Sequence, residues 1–154
     1  MSDVIIREMT EKDIDQVLEI EKEAFETPWS REAFVLELVK NQLAKYIVAE
    51  KDDKIVGYGG LWLILDEGHI TNIAVSSLYR GQGIGNLLIE RLIEICEERG
   101  INNMTLEVRK SNLVAQSLYK KYDFIDCGIR KGYYTDTKED AVIMWRIGEA
   151  RGRS

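Results

Sequence analysis

The segment Arg80-Gly81-Gln82-Gly83-Ile84-Gly85 constrains this chain more than any other. It follows an apolar, strand-like run at residues 70–75 and opens an amphipathic helical pattern. Three glycines in five residues remove side chains where the main chain must approach something closely. They also reach backbone conformations that other residues resist. The helix behind them begins with unpaired N–H groups and a partial positive charge. A strand, a bare loop and a helix mouth in that order make a cradle for an anion, most often a phosphate.

Two familiar phosphate loops do not fit. A Walker A loop ends in Gly-Lys-Ser/Thr, whereas Gly85 is followed by Asn86 and Leu87. A dinucleotide fingerprint needs a third glycine three residues after its second; that position is Asn86 or Leu88, depending on register.

The 154 residues, 45% hydrophobic and 31% charged, suit one globular domain with a real core. We expect that domain at residues 1–147 and a flexible, solvated tail at 148–154. A net charge of −6 argues against a nucleic-acid binder that works through a basic surface. The longest apolar run, residues 61–65, is too short to span a bilayer, and the start lacks a signal-peptide pattern. Cys96 and Cys127 lack CxxC spacing, which suggests buried, reduced thiols and a cytoplasmic setting. His69 is the sole histidine, so no metal site is expected.

Residues 4–7 read as a first strand. Thr10 with Asp13 forms a capping box ahead of a helix carrying Ile14, Val17, Leu18 and Ile20. Pro28 and Trp29 break that pattern, and Ser30 caps a second helix. Residues 46–50 and 55–65 read as strands around a hairpin turn at 52–54. A further turn at 66–68 leads into a strand at 69–76. Residues 83–99 form a helix with an apolar face, ended by Gly100. In 104–109, Met104, Leu106 and Val108 point one way, and Thr105, Glu107 and Arg109 the other. Asn112 caps a helix at 113–122. Residues 124–129 and 141–147 finish as strands around a Gly-Tyr-Tyr loop. This order predicts an α+β fold, a mixed sheet with helices on it.

The R-x-x-G-x-G segment, within residues 72–85, resembles the acyl-CoA-binding motif of the GNAT N-acetyltransferase superfamily. So does a second block, Leu106-Glu107-Val108-Arg109-Lys110-Ser111-Asn112, leading to Leu118, Tyr119 and Phe124. With Thr27-Pro28-Trp29-Ser30, Arg130-Lys131-Gly132-Tyr133-Tyr134 and Glu139-Asp140-Ala141, the match is to the bacterial RimI branch. That branch acetylates the N-terminal alanine of a small-subunit ribosomal protein. The resemblance implies the acyl-CoA N-acyltransferase fold, a central, mostly antiparallel sheet flanked by helices. It implies acetyl-CoA as co-substrate and a protein N-terminal segment as acceptor, with no direct nucleic-acid or membrane partner. One departure stands out: Asp123 precedes Phe124 where the family has glycine, at a turn that aspartate tolerates.

The resemblance also implies roles. Glu107 is the candidate base; periodicity alone favours a solvated face shared with Thr105 and Arg109, and it is the resemblance that favours the base. Tyr119 is the candidate acid toward the thiolate; the alternative is an aromatic packing stripe with Leu118 and Tyr122. An α-amine has an ordinary pKa of about 7.7–8.0, so one carboxylate, acting through water if necessary, suffices. Ile73, Ala74 and Val75 are expected to meet the pantetheine arm through their main chain, with one amide facing the thioester oxygen. Arg80, Gly81, Gln82, Gly83, Ile84 and Gly85 are expected to take the pyrophosphate. Asn112 is a cap and a polar contact to the coenzyme. Pro28 and Trp29, with Tyr133 and Tyr134, are expected to wall a peptide groove that His69 and Asn72 also touch. Trp29 reads equally as a hydrophobic plug, and His69 as structural or as a second base. Competing readings are a lysine or broader N-terminal acetyltransferase, a small-molecule acetyltransferase and a non-catalytic acyl-CoA-binding module.

Overall fold

The computed structural model describes residues 3–25 and 27–148. The expected tail lies, from residue 149 on, outside the described residues. The elements are β1 (Ile5–Glu8), α1 (Ile14–Ala24), α2 (Arg31–Val39), β2 (Ala44–Lys51), β3 (Lys54–Ile64), β4 (Glu67–Val75), α3 (Ile84–Glu98), β5 (Asn103–Arg109), α4 (Leu113–Lys121), β6 (Ile125–Tyr134) and β7 (Glu139–Ile147). The strands form one seven-stranded sheet in the order β1-β2-β3-β4-β5-β7-β6. Its pairs are antiparallel except β4 with β5.

Alternation along β2 splits the core in two. Ile47 and Ala49 pack with the buried face of α3, while Tyr46 and Val48 pack with Ile14, Val17 and Ile20 of α1 and Phe34 of α2. Seven side chains of α3 are buried: Ile84, Leu88, Ile89, Leu92, Ile93, Ile95 and Cys96. At roughly 1.5–3 kcal/mol for each fully buried aliphatic side chain, this burial fixes α3 and therefore its N-terminus.

Turns follow local chemistry. Asp52 and Asp53 both take positive φ, 53° and 64°, as a two-residue type I′ hairpin requires. The β3–β4 turn is Leu65-Asp66, not 66–68, with Leu65 at φ 54°. Asp123 sits at φ 73°, so the turn that glycine would make is kept. The Gly-Tyr-Tyr segment is not a loop: Gly132, Tyr133 and Tyr134 end β6, and the connection to β7 follows them. The strand expected at 124–129 thus runs on to Tyr134, and no alternation announced the extension, because nine of the ten residues of β6 are exposed. Cys127, expected to be buried, lies exposed on it, whereas Cys96 is buried.

One irregularity positions the site. Opposite the Gly60–Leu61 step of β3, the partners on β4 jump from Asn72 to Ile70, leaving Thr71 as an extra, bulged residue. Gly60 permits the bulge, since a Cβ there would meet the Thr71 hydroxyl and the Tyr46 ring. β4 pairs with β5 only from Glu67 to His69, so the pairing stops just before the bulge. Beyond it residues 72–75 stay paired with β3 but no longer with β5, and a cleft opens between β4 and β5.

Candidate active site

The cleft comprises two cavities that meet at Ala24, Phe25, Ile73, Asn112, Ala115 and Tyr119. The first, about 740 Å³, runs from Ile73, Ala74 and Val75 to Arg80, Gly81, Gly83, Ile84 and Gly85 at the mouth of α3. Gly81 and Gly83 both take φ 79°, the left-handed region, and a Cβ on either would point into open space. Their identity is thus set by backbone conformation and by what the space outside must admit. Gly85 has a different reason: a Cβ there would lie 3.3 Å from Leu118, so its bareness lets α3 approach α4. Ile84 is buried in the core. The Arg80 Nε donates to the Val75 carbonyl at 3.4 Å, folding the loop back on β4. Gln82 does not line the cavity; its Oε1 accepts from Lys51 Nζ at 3.0 Å.

This side suits coenzyme A. It offers an unpaired strand edge for an amide-bearing arm, then a bare loop at a helix N-terminus for a pyrophosphate. Asn112 caps α4, its Oδ1 accepting from the Ala115 N–H at 3.1 Å, and it also lines both cavities.

The second cavity, about 560 Å³, is lined by side chains that bond to one another. Glu107, on the polar side of β5, accepts from His69 of β4, Nε2 to Oε1 at 2.8 Å. Its other oxygen lies 3.8 Å from Arg130 Nε. The His69 hydrogen bond, more than the Arg130 charge, holds the Glu107 carboxyl below its usual range despite burial. An ionised carboxylate only accepts, so the proton on this hydrogen bond belongs to His69 Nε2. Tyr119, 6% exposed, packs on Phe124 and lines both cavities. Burial pushes its hydroxyl well above the ordinary tyrosine value.

The far walls are Thr27 and Trp29 on one side and Tyr133 and Tyr134 on the other. Trp29 is both wall and plug: its ring packs 5.1 Å from Phe34 and 6.4 Å from Tyr46 while lining the cleft. Pro28 is exposed and does not line the cavity. Asn72 lines it, whereas His69 reaches it through Glu107. Several contributors went unread in the sequence. Arg109 stacks on Tyr134 at 4.1 Å and pairs with Asp136 at 2.8 Å and Glu139 at 3.3 Å. Asp136 in turn accepts from the Thr27 hydroxyl at 3.1 Å, tying the two walls together. The Leu-Glu-Val-Arg block placed Arg109 beside Glu107, but its partners are distant in sequence. Among the described residues, no group of three or more His, Cys, Asp or Glu is arranged to hold a metal ion.

Residues 14–124 match the model of the Acetyltransferase (GNAT) family. This chain is a GNAT-family acetyltransferase. It is 48% identical to a protein of Bacillus subtilis strain 168, provisionally named a [ribosomal protein bS18]-alanine N-acetyltransferase, over 91% of this chain and 93% of that one. It is 38% identical to the [ribosomal protein bS18]-alanine N-acetyltransferase of Escherichia coli K12, over 86% and 89%. The crystal structure of the Escherichia coli ribosomal-protein-S18-alanine N-acetyltransferase superposes with a TM-score of 0.85 at 33% identity, covering 94% of each chain. As a GNAT enzyme the chain uses acetyl-CoA, and the glycine-lined cavity has the backbone geometry for it.

Proposed function

We propose that this chain transfers the acetyl group of acetyl-CoA to the N-terminal alanine of ribosomal protein bS18, as a cytoplasmic reaction. The observation that carries the proposal is the Glu107–His69 pair beside the junction where the coenzyme cavity and the side-chain-lined cavity meet. The named activity of the relatives supports the choice of acceptor.

The thioester lies at the junction, with main-chain amides of Ile73, Ala74 and Val75 toward its arm and carbonyl. The acceptor α-amine enters from the second cavity toward Glu107. Glu107 alone is a poor final proton acceptor. Its carboxyl lies below the usual ~4.3, so direct transfer from an ammonium of pKa about 8 is uphill by at least about 5 kcal/mol. Glu107, itself fixed by the His69 hydrogen bond, instead holds the ammonium, and the proton leaves through water. The amine nitrogen then forms the new C–N bond, the C–S bond breaks, and the Tyr119 hydroxyl hydrogen-bonds the departing sulfur. Trp29, Asn72, Tyr133 and Tyr134 hold the first residues of the peptide.

The test is tandem mass spectrometry of a peptide carrying the bS18 N-terminal sequence after incubation with acetyl-CoA, beside peptides that start with Met or Ser or carry an internal lysine. The acetyl group is expected on the α-amine of the alanine peptide. Acetyl found on lysine side chains, with the alanine peptide untouched, would overturn the proposal.

A further inference from the structure

We propose that Glu21 of α1 is a positioning residue that sets the peptide side of the cleft by tying the Trp29 wall to the β4 bulge. The inference rests on the peptide groove just described. Glu21 is 2% exposed, whereas its chain neighbours Lys22 and Glu23 are exposed. Carboxylates are rarely buried this far without a cation, and among the described residues no salt bridge pairs Glu21 with one. It is held by two donors instead. Its Oε2 accepts from the backbone N–H of Trp29 at 2.9 Å, and its Oε1 from the hydroxyl of Tyr58 on β3. Tyr58 is fully buried, and its hydroxyl accepts from Asn72 Nδ2 at 3.3 Å. Asn72 is the residue directly after the bulged Thr71.

One carboxylate therefore joins four pieces: α1, the loop leading to α2, β3, and the point on β4 where the sheet opens. Three members of this chain, Glu21, Trp29 and Asn72, line the side-chain-lined cavity. Burial pushes the Glu21 carboxyl upward, and the two hydrogen bonds offset this only in part. An apolar side chain would fill the same core position without that cost. What it would lose is the fixed distance between the Trp29 wall and Asn72 at the β4 bulge.

The experiment compares Glu21→Ala with Glu21→Gln, using the bS18 peptide. Glutamine keeps an oxygen that accepts from the Trp29 N–H, and it replaces the oxygen facing Tyr58 by an amide that donates to the Tyr58 hydroxyl, so the link survives with its direction reversed. Glu21→Ala is expected to raise the peptide KM by roughly 10–100-fold, the scale of a misplaced substrate, with the acetyl-CoA KM unchanged. Glu21→Gln is expected to restore most of that loss. Hydrogen exchange at the Trp29 amide, read without any substrate, is expected to be faster in the Ala variant and protected in the Gln variant. Should Glu21→Ala fail to fold, Tyr58→Phe cuts the link to Asn72 while keeping the ring, and it is expected to raise the peptide KM selectively. An unchanged peptide KM in Glu21→Ala, or in Tyr58→Phe where that stands in for it, overturns the inference. So does a Gln variant as poor as the Ala variant, because the charge itself would then be in use. Wild-type protein that ignores the peptide while Trp29 exchange responds as described would instead refute the choice of substrate.

Discussion

The two halves of the cleft are built by opposite means. On the coenzyme side the work falls to main chain: an unpaired strand edge, two left-handed glycines and a helix mouth. On the peptide side it falls to side chains that hold one another, Glu107 with His69, Arg109 with Asp136 and Tyr134, and Glu21 with Tyr58. The division follows from the ligands. A pyrophosphate and a repeating amide arm are recognised by fixed backbone groups, whereas an amine that must shed a proton needs titratable groups in set positions.

The sharpest way to break this contrast is on the peptide side. Glu107→Gln is expected to lower kcat by about 10²–10⁴-fold, with Tyr119→Phe toward the lower end. Calorimetry should show acetyl-CoA binding unchanged in both. Normal turnover in both variants would remove them from the chemistry. The mirror experiment is Gly83→Val, which demands a left-handed backbone of a β-branched residue and fills the cradle. It is expected to weaken acetyl-CoA binding by roughly 100-fold or more, about 2.8 kcal/mol, and retained wild-type affinity would refute the cradle.

The pH profile separates the halves again. Because the His69 hydrogen bond depresses the Glu107 carboxyl, Glu107 is ionised from well below neutrality. The peptide kcat/KM should therefore climb with the free fraction of the acceptor amine, near pH 8. A limb between about pH 5 and 7 that vanishes in Glu107→Gln would mean a raised carboxyl instead.

Smaller effects probe the scaffold. Gly60→Ala is expected to cost about 1–3 kcal/mol in chemical denaturation, because the bulge at Thr71 has no room for a methyl. Leu65 is 94% exposed in the left-handed region. Leu65→Asn is thus expected to stabilise the chain by up to about 1 kcal/mol without touching either cavity.

How much of this was legible follows the same divide. The glycine loop, the helix behind it, the Asn112 cap and the outward face of Glu107 are local, carried by a few adjacent residues. The left-handed turn at Asp123 was equally readable. The peptide side rests on contacts between residues far apart in the chain: His69 meets Glu107 across 38 positions and Thr27 meets Asp136 across 109. No local period announces those. Glu21 looked like an ordinary polar residue on a helix, because a helical pattern cannot say which polar group the fold buries. Gly60 was silent for a related reason, since the need for a bare position came from the Tyr46 ring on the neighbouring strand.

The central claim is that the two cavities are one reaction path, joined at Ile73 and Tyr119. It is tested most directly by calorimetry with a bisubstrate analogue, coenzyme A linked through an acetyl bridge to the α-nitrogen of the bS18 peptide. The account predicts binding at least about 10²-fold tighter than acetyl-CoA or peptide alone, since one linked molecule occupies both cavities. An affinity no better than that of acetyl-CoA would mean that the peptide does not enter beside Glu107.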